Sequence, residues 1–363
     1  MMKISYTIVL FLAFWLPSNA QQNPSLEKML TRMIYTEVEM KKIPGMVVGV
    51  IDRDGSYVYG FKETVKGNGK VPDANTVWEI GSISKVFTAC LLSIMVSEGT
   101  LSYDTPADEY LDGINLQRNG KKITIRQLVS HTAGLPKLPF NFGANESSKS
   151  DPYASYSKAD LLEFLSGFNF MLVKDEYQYS HVGFALLAVV LETAGGAPFP
   201  QLIEEKLLKP LQMTDTRIDL SLEQEGRMAQ GYSLLGDPAT PWNFQVFAGA
   251  IGYKSSAADL MKLLAVFLED THLDLGKTLG STLIETSGTS VKRVWMAQGW
   301  HIIKPKKRFY NVYAHSGVTD GFRAYIGFVK ESHTATVVLT NTEETNYGIG
   351  SIVLQVLNKN WKR

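Results

Sequence analysis

Ser82 and Lys85 are the residues whose types and spacing are best suited to chemistry in this chain. Residues three apart share one face of a helix, so the hydroxyl and the amine can meet. The next residues, VFTACLLSIM, are mostly apolar, so Lys85 would be largely desolvated and its pKa lowered. At a helix start, free backbone N–H groups favour developing negative charge. The pattern predicts Ser82 as a nucleophile whose own N–H contributes to an oxyanion site.

The Ser-x-x-Lys spacing alone is weak evidence, because the chain contains it three times. Ser25/Lys28 opens a surface-type helical pattern and Ser155/Lys158 lies in a polar stretch, so both copies look incidental. Only Ser82/Lys85 follows a strand-like segment and opens an apolar helix. The alternative interpretation is that Ser82 caps the helix and Lys85 extends its amine to solvent.

Other chemistries find little support in the sequence. It contains no Gly-x-Ser-x-Gly elbow, P-loop, Gly-x-Gly-x-x-Gly or His-Glu-x-x-His motif, and its six histidines show no metal-ligand spacing. We therefore expect no metal and no cofactor. Lys plus Arg equals Asp plus Glu at 36 each, so the composition has none of the excess positive charge that favours nucleic-acid binding. We expect a small-molecule or peptide substrate and no nucleic-acid partner.

The elements that must position Ser82 and Lys85 follow from hydrophobic periodicity. A helix is predicted over 24–42 and a hairpin over 46–61 around Asp54-Gly55. Helix and loop signals dominate from about 100 to 285. Strands are predicted at 293–303, 309–317, 324–330 and 335–341, before a last helix at 348–361. The chain is therefore predicted to be α/β (α+β), with an antiparallel sheet built from both chain ends, flanked by helices, and a mainly helical lobe.

The first twenty residues have the form of a secretory signal peptide. Lys3 precedes an apolar run over 4–16 and a small-residue end, and that run is shorter than the ~20 residues that span a bilayer. We expect a secreted or periplasmic protein with no stable membrane span after cleavage, a retained anchor being the alternative. Residues 21–363 would form a single domain, with a sheet lobe at about 25–81 and 290–363 and a helical lobe at about 82–289.

Two further segments, read with Ser82/Lys85, resemble a known family. In EYQYSHVGFALLAVVLE, Tyr179 and His181 precede an apolar helix, and in YAHSGVTDGF, His315-Ser316-Gly317 closes a strand. The ordered set resembles the Ser-x-x-Lys, Tyr-x-Asn and Lys-Thr-Gly or His-x-Gly motifs of penicillin-recognising serine hydrolases. The class C β-lactamase-related group, which includes D-peptidases and esterases, is the most similar. The resemblance covers about residues 26–355 and implies a β-lactamase/transpeptidase-like fold.

The resemblance implies a role for each of these residues. Ser82 would be acylated, Lys85 would help to remove its proton, and Tyr179 would pass the proton to the leaving group, with Lys85 and His315 as cations that lower the phenol pKa. The N–H groups of Ser82 and Val318 would form the oxyanion hole. His181, Ser316, Gly317 and Val318 would contact the substrate. His131 is interpreted as structural, satisfied by backbone.

Two departures from the family pattern affect the expected substrate. His181 replaces asparagine, and His-Ser-Gly lacks the permanent cation that would bind a β-lactam carboxylate; Arg323 is a candidate to replace it, although the sequence favours a solvated surface arginine there. These changes favour a peptidase or esterase that acts on D-amino-acid peptides, small esters or β-lactams. The alternatives are a true class C-type β-lactamase and a penicillin- or peptidoglycan-binding or sensing protein without turnover.

Overall fold

The computed structural model describes residues 23–40, 43–143, 151–169, 176–269, 274–305, 310–343 and 347–358. The predicted signal segment, residues 1–20, lies outside these ranges. In the described chain, one eight-stranded antiparallel sheet dominates. Its strands, in spatial order, are β2 (Ser56–Lys62), β1 (Gly45–Ile51), β12 (Thr334–Thr340), β11 (Phe322–Val329), β10 (Val312–Thr319), β9 (His301–Ile303), β8 (Val294–Met296) and β7 (Ser287–Gly288).

The centre of this sheet joins the two ends of the chain. β1 forms the predicted hairpin with β2 and also pairs with β12, so that Met46 lies opposite Thr340 and Ile51 opposite Ala335. The mixed fold with an antiparallel sheet from both chain ends is therefore confirmed.

The single strand predicted over 293–303 is wrong in one respect. A turn interrupts it, with Gly299 at a φ of +74°, and converts it into the hairpin of β8 and β9.

Helices cover both faces of the sheet. In chain order they are α1 (Pro24–Met40), α2 (Ser84–Ser97), α3 (Ile125–Val129), α4 (Lys158–Gly167), α5 (His181–Gly195), α6 (Phe199–Ile203), α7 (Leu222–Glu225), α8 (Ala248–Ile251), α9 (Ala257–Leu268), α10 (Asp274–Gly280) and α11 (Tyr347–Leu357). A π-helical segment, Glu204–Leu208, and short 3-10 turns connect some of them.

The two faces have different cores. On one face, α1 buries Leu26, Leu30, Ile34 and Val38, one every four residues, together with α11 against the sheet. On the other face, α2, α5 and α9 belong to the larger hydrophobic core. The candidate catalytic residues lie on this second side, so the sheet separates them from α1 and α11.

Helix α5 is apolar around most of its circumference, as expected of a helix buried in a core. The Ser180 hydroxyl accepts a hydrogen bond from the N–H of Gly183 and defines its start, and Gly196 ends it with a φ of +65°. In the described part of the chain no single helix is long and apolar enough to cross a bilayer. The bent pair His181–Gly195 and Phe199–Leu208, angled at 78°, meets those two criteria together.

Two short sheets complete the fold. β3 (Val77–Glu79) pairs with β6 (Lys254–Ser256), and β4 (Gln117–Arg118) pairs with β5 (Lys121–Lys122). β3 leads directly into the turn that carries Ser82, and β6 leads into α9. The pairing of β3 with β6 thus fixes the start of the Ser82 turn against the middle of the chain.

Candidate active site

Ser82 lies in a 3-10 turn, Gly81–Ile83, between β3 and α2, where the backbone of β10 approaches very closely. A Cβ atom at Gly317 would lie 1.8 Å from the carbonyl oxygen of Ile80, and one at Gly81 would lie 2.6 Å from the backbone nitrogen of Val318. Gly81 also has a φ of +49°, which favours glycine. The two glycines let the backbone of Val318 lie beside the Ser82 turn, as a shared oxyanion site requires.

The hydroxyl of Ser82 does not cap the helix. α2 begins at Ser84, and no side chain caps it or the preceding turn. The hydroxyl of Ser84 holds the turn instead, since it donates to the carbonyl of Gly81 at 2.6 Å and accepts from the N–H of Tyr253 at 3.0 Å. The alternative interpretation of Ser82 as a helix cap is therefore wrong, and its partly exposed hydroxyl remains available for other contacts.

Lys85 is fully buried, with 0% of its surface exposed. Its Nζ lies 3.3 Å from Oγ of Ser82 and donates to the carbonyl of Ala250 at 2.8 Å. Desolvation, followed by the charge of Lys137, lowers the pKa of the Lys85 amine well below its ordinary value. An uncharged amine that donates to Ala250 keeps its lone pair for the proton of Ser82. The snorkelling interpretation of Lys85 is wrong.

Tyr179, two residues before α5, meets this pair from the other side. Nζ of Lys85 lies 4.9 Å from the centroid of the Tyr179 ring, and the Ser82 hydroxyl is close enough to lower the phenol pKa somewhat. Burial nevertheless dominates and raises the pKa of Tyr179 well above its ordinary value. The expectation that neighbouring cations lower this pKa is wrong, because desolvation outweighs every favourable contact. Tyr179 is a protonated phenol at rest.

His315 shows which way the phenol proton points. Its Nδ1 lies 2.6 Å from the carbonyl oxygen of Gly299, and a carbonyl only accepts, so Nδ1 carries a proton. Burial lowers the pKa of His315 well below its ordinary value, so the ring is neutral and Nε2 is an acceptor. The Tyr179 oxygen lies 3.4 Å from that Nε2. His315 therefore accepts the phenol proton and does not supply the cation expected of it.

His181 begins α5, where its backbone N–H donates to the carbonyl of Lys137 at 3.1 Å. Its ring packs edge-on against Tyr179, with centroids 5.7 Å apart, and its Nδ1 has no partner among the described residues. Desolvation, then the charges of Lys85 and Lys137, lower the pKa of His181 well below its ordinary value. The position that the family pattern gives to asparagine thus holds a neutral imidazole.

The remaining predicted residues lie on β10. Ser316 is half-buried, Gly317 is buried against the Ser82 turn, and Val318 is 39% exposed. Val318 pairs across the sheet with Arg323, whose Nε donates to the backbone carbonyl of Glu343 at 2.7 Å. Arg323 is thus engaged by the segment after β12, which gives no support to its use as a replacement for the missing motif cation.

Two more histidines contact Tyr179. The ring of His131 lies 4.5 Å from it, and its Nδ1 accepts the N–H of Ser180 at 3.1 Å, as predicted, whereas its Nε2 has no hydrogen-bond partner among the described residues. His301 was missed. It begins β9, stacks 6.4 Å from Tyr179 and lies 5.0 Å from the ring of His315. His301 reaches the site because it pairs with Ala314 where β9 lies against β10. A prediction of the register between these two strands could have identified it from the sequence.

Four histidine rings thus surround the phenol, although no three His, Cys, Asp or Glu side chains in the described ranges are arranged to hold a metal ion. Burial lowers the pKa of His301 to about 4, and those of the other three also fall, so all four rings are uncharged at neutral pH. The pocket presents neutral donors and acceptors to Tyr179 rather than positive charge.

Comparisons with known proteins identify the family of the chain. A family model described as Beta-lactamase matches residues 30–350. A D-alanyl-D-alanine-carboxypeptidase/endopeptidase of Escherichia coli (strain K12) is 26% identical over 333 residues, 86% of this chain and 84% of that protein.

Two crystal structures share the fold. A class C beta lactamase from Rhodobacter sphaeroides has a TM-score of 0.77 at 21% identity, covering 90% of this chain and 98% of its own. A beta-lactamase/D-alanine carboxypeptidase from Yersinia pestis has a TM-score of 0.80 at 22% identity, with coverages of 93% and 99%. Because the family model spans most of the sequence, the chain belongs to the Beta-lactamase family, the serine hydrolases that its motifs resemble.

Proposed function

We propose that this chain is an exported serine hydrolase that cleaves amide or ester bonds through an acyl-enzyme formed on Ser82. The observation that carries the proposal is the fully buried Lys85 amine, 3.3 Å from the Ser82 hydroxyl. Export rests on the signal-like sequence of residues 1–20.

The proposed reaction has two halves. In the first, Lys85 accepts the Ser82 proton as Oγ bonds to the substrate carbonyl carbon, and the N–H groups of Ser82 and Val318 stabilise the resulting oxyanion. Tyr179 rotates its O–H away from His315 and protonates the leaving nitrogen or oxygen as the bond from that atom to the carbonyl carbon breaks, and the Lys85 proton then replaces the one that the phenol gave. In the second half, water attacks the acyl-enzyme carbonyl carbon and gives a proton to the same groups, the bond from that carbon to Oγ breaks, and the proton passes to Oγ of Ser82 as the acid is released.

The proposed substrates are D-amino-acid peptides, small esters or β-lactams. The relatives include proteins named as a carboxypeptidase/endopeptidase and as β-lactamases, so both activities stay open. The neutral His315 lies where a permanent cation is expected in an efficient β-lactamase, and this favours peptides and esters. Turnover of a chromogenic cephalosporin faster than that of a simple ester would decide for the β-lactamase alternative.

Covalent labelling tests the proposal. A fluorophosphonate probe or a fluorescent penicillin should label the full chain, and Ser82→Ala should abolish the label. Ser25→Ala is the matched control, because Ser25 belongs to another Ser-x-x-Lys copy and its hydroxyl donates to Asn23 on the exposed surface. Equal labelling of wild type and Ser82→Ala would contradict the nucleophile.

The alternative of another class is a binding or sensing protein. It predicts stoichiometric acylation of Ser82 without release, and the neutral imidazole of His181 in place of an amide is the feature that keeps it open. Measuring product against enzyme separates the two functions. Several moles of product per mole of chain would exclude the sensing alternative, and a single burst would support it.

A further inference from the structure

Lys137 is an exposed residue that the sequence motifs do not mark but that the fold ties to the catalytic groups. Its backbone carbonyl accepts the N–H of His181 at 3.1 Å, and the carbonyl of the preceding Pro136 accepts the Ser180 hydroxyl at 2.7 Å. These two bonds attach the segment that carries Lys137 to the start of α5, next to Tyr179. Lys137 is therefore positioned by the same backbone that positions Tyr179 and His181.

The charge of Lys137 acts inside the site. It is the second cause, after burial, of the lowered pKa of Lys85, and it also contributes to the lowered pKa of His181. Two groups on α2 and α5 therefore experience the same ammonium ion. Its side chain is exposed, and within the described ranges it forms no ion pair with a carboxylate.

Lys137 contrasts with the other basic groups that could bind an anion here. His315 and His181 are buried and uncharged, Lys85 is buried and engaged by Ala250, and Arg323 donates to the carbonyl of Glu343. Lys137, between α3 and α4, instead carries an exposed amine whose charge affects Lys85 and His181. A positive charge near a hydrolytic site raises the local concentration of anionic substrates and favours their binding.

We propose that Lys137 binds a carboxylate, or an equivalent anionic group, of the substrate and so makes the site selective for anionic substrates. This inference rests on the proposed hydrolase function and extends it to a substrate class. Lys137 contributes a point charge with three donors, and it takes no part in the transfer of the Ser82 proton.

Two rigid pairs of esters test the selectivity. One pair carries the charge on the acyl side (para-nitrophenyl esters of para-carboxybenzoate and para-carbamoylbenzoate), and the other on the leaving side (para-carboxyphenyl and para-carbamoylphenyl acetate). We expect Lys137→Gln to lower the anionic-to-neutral ratio of kcat/KM about tenfold in one pair, and Lys137→Arg to restore most of it. The pair that responds identifies the side of the scissile bond on which the anion lies.

Lys28→Gln is the matched control, since it removes one exposed positive charge from α1, on the opposite face of the sheet. It should leave both ratios unchanged. Added salt should lower the ratio in wild type and have little effect on it in Lys137→Gln, because screening removes only the interaction that is still present. A lysine needed only for folding would not produce this salt difference.

The outcomes separate failure of this inference from failure of the proposed function. Ratios unaltered by Lys137→Gln in both pairs, with hydrolysis that still requires Ser82, would overturn the role of Lys137 alone. An equal fall for anionic and neutral esters would also overturn it, because that result indicates a structural role. Hydrolysis that is absent, or equal in wild type and Ser82→Ala, would overturn the proposed function itself.

Discussion

Two Ser-x-x-Lys copies of this chain show how differently one spacing can be used. Lys158 begins α4 and pairs with Glu192 at 3.2 Å, with 48% of its side chain exposed. Ser155 precedes that helix, so the serine and the lysine do not share a helical face. Lys85 is fully buried, bonds to Ser82, and pairs with no carboxylate in the described ranges. The environment of the lysine, rather than the motif, decides whether its amine can act as a base.

The copy on α1 agrees with this conclusion. Ser25 and Lys28 are both exposed, and the Ser25 hydroxyl donates to Asn23 near the helix start. Lysines on such surfaces remain charged and solvated. Of the three copies, only Ser82/Lys85 has its lysine buried in the core that α2 and α5 share.

The largest effect should come from removing the buried amine. Lys85→Met should lower kcat/KM for a neutral ester about ten-thousandfold, because the Ser82 hydroxyl loses its proton acceptor. Lys158→Met is the matched surface variant and should retain wild-type kinetics. If both substitutions lower kcat/KM by similar factors, the distinction between the two copies is wrong.

Lys85→Met should not lower the stability of the fold. The lowered pKa of Lys85 means that the unfolded chain holds its proton more tightly than the folded chain does, which opposes folding below the ordinary lysine pKa. An apolar side chain of similar size removes that opposition, although the carbonyl of Ala250 loses a donor. We expect Lys85→Met to unfold at the wild-type Tm or above it. A clear fall in Tm would mean that the lysine stabilises the fold.

A smaller loss should follow from the phenol. Tyr179→Phe keeps the ring that packs against His131 and His181 but removes the hydroxyl beside Ser82, and we expect kcat/KM to fall about a thousandfold. Tyr177→Phe is the control, since Tyr177 also packs against His131. Activity of Tyr179→Phe within tenfold of wild type would remove the phenol from the proton path.

Patterns along the chain were sufficient to predict the sheet and the contact between Ser82 and a buried Lys85. The periodicity of β1, β11 and β12 indicated a sheet built from both chain ends, and the apolar run after Ser82 indicated that Lys85 is buried. Both predictions use hydrophobic patterns among residues that are close in sequence. The predicted direction of the Tyr179 pKa shift was wrong, because the extent of desolvation depends on the surroundings that folding creates.

The missed residues depend on contacts between distant segments. His301 reaches the site through the register of β9 on β10, and Lys137 through a hydrogen bond from His181. Neither has a local pattern that distinguishes it from an ordinary strand histidine or surface lysine. The same is true of Glu79, a residue of β3 three positions before Ser82.

Glu79 is a carboxyl group in the same kind of environment as Lys85. It is buried, and neither carboxyl oxygen has a hydrogen-bond partner of standard geometry in the described ranges, although the Thr319 hydroxyl lies close enough to affect it. Burial raises the pKa of Glu79 to about 7. Glu192, half-buried and paired with Lys158, is its counterpart nearer the surface.

The smallest effect should be a change in stability with pH. Below the unfolded pKa of 4.5, folded and unfolded chains both hold the Glu79 proton; as pH rises towards about 7, only the folded chain keeps it, and the free energy of unfolding falls by up to ~3 kcal/mol. Glu79→Gln cannot lose that proton. In urea unfolding it should match wild type near pH ~4 and exceed it near pH ~8. Glu192→Gln should show no such gain, and a Glu79→Gln difference independent of pH would mean that Glu79 is charged in the fold.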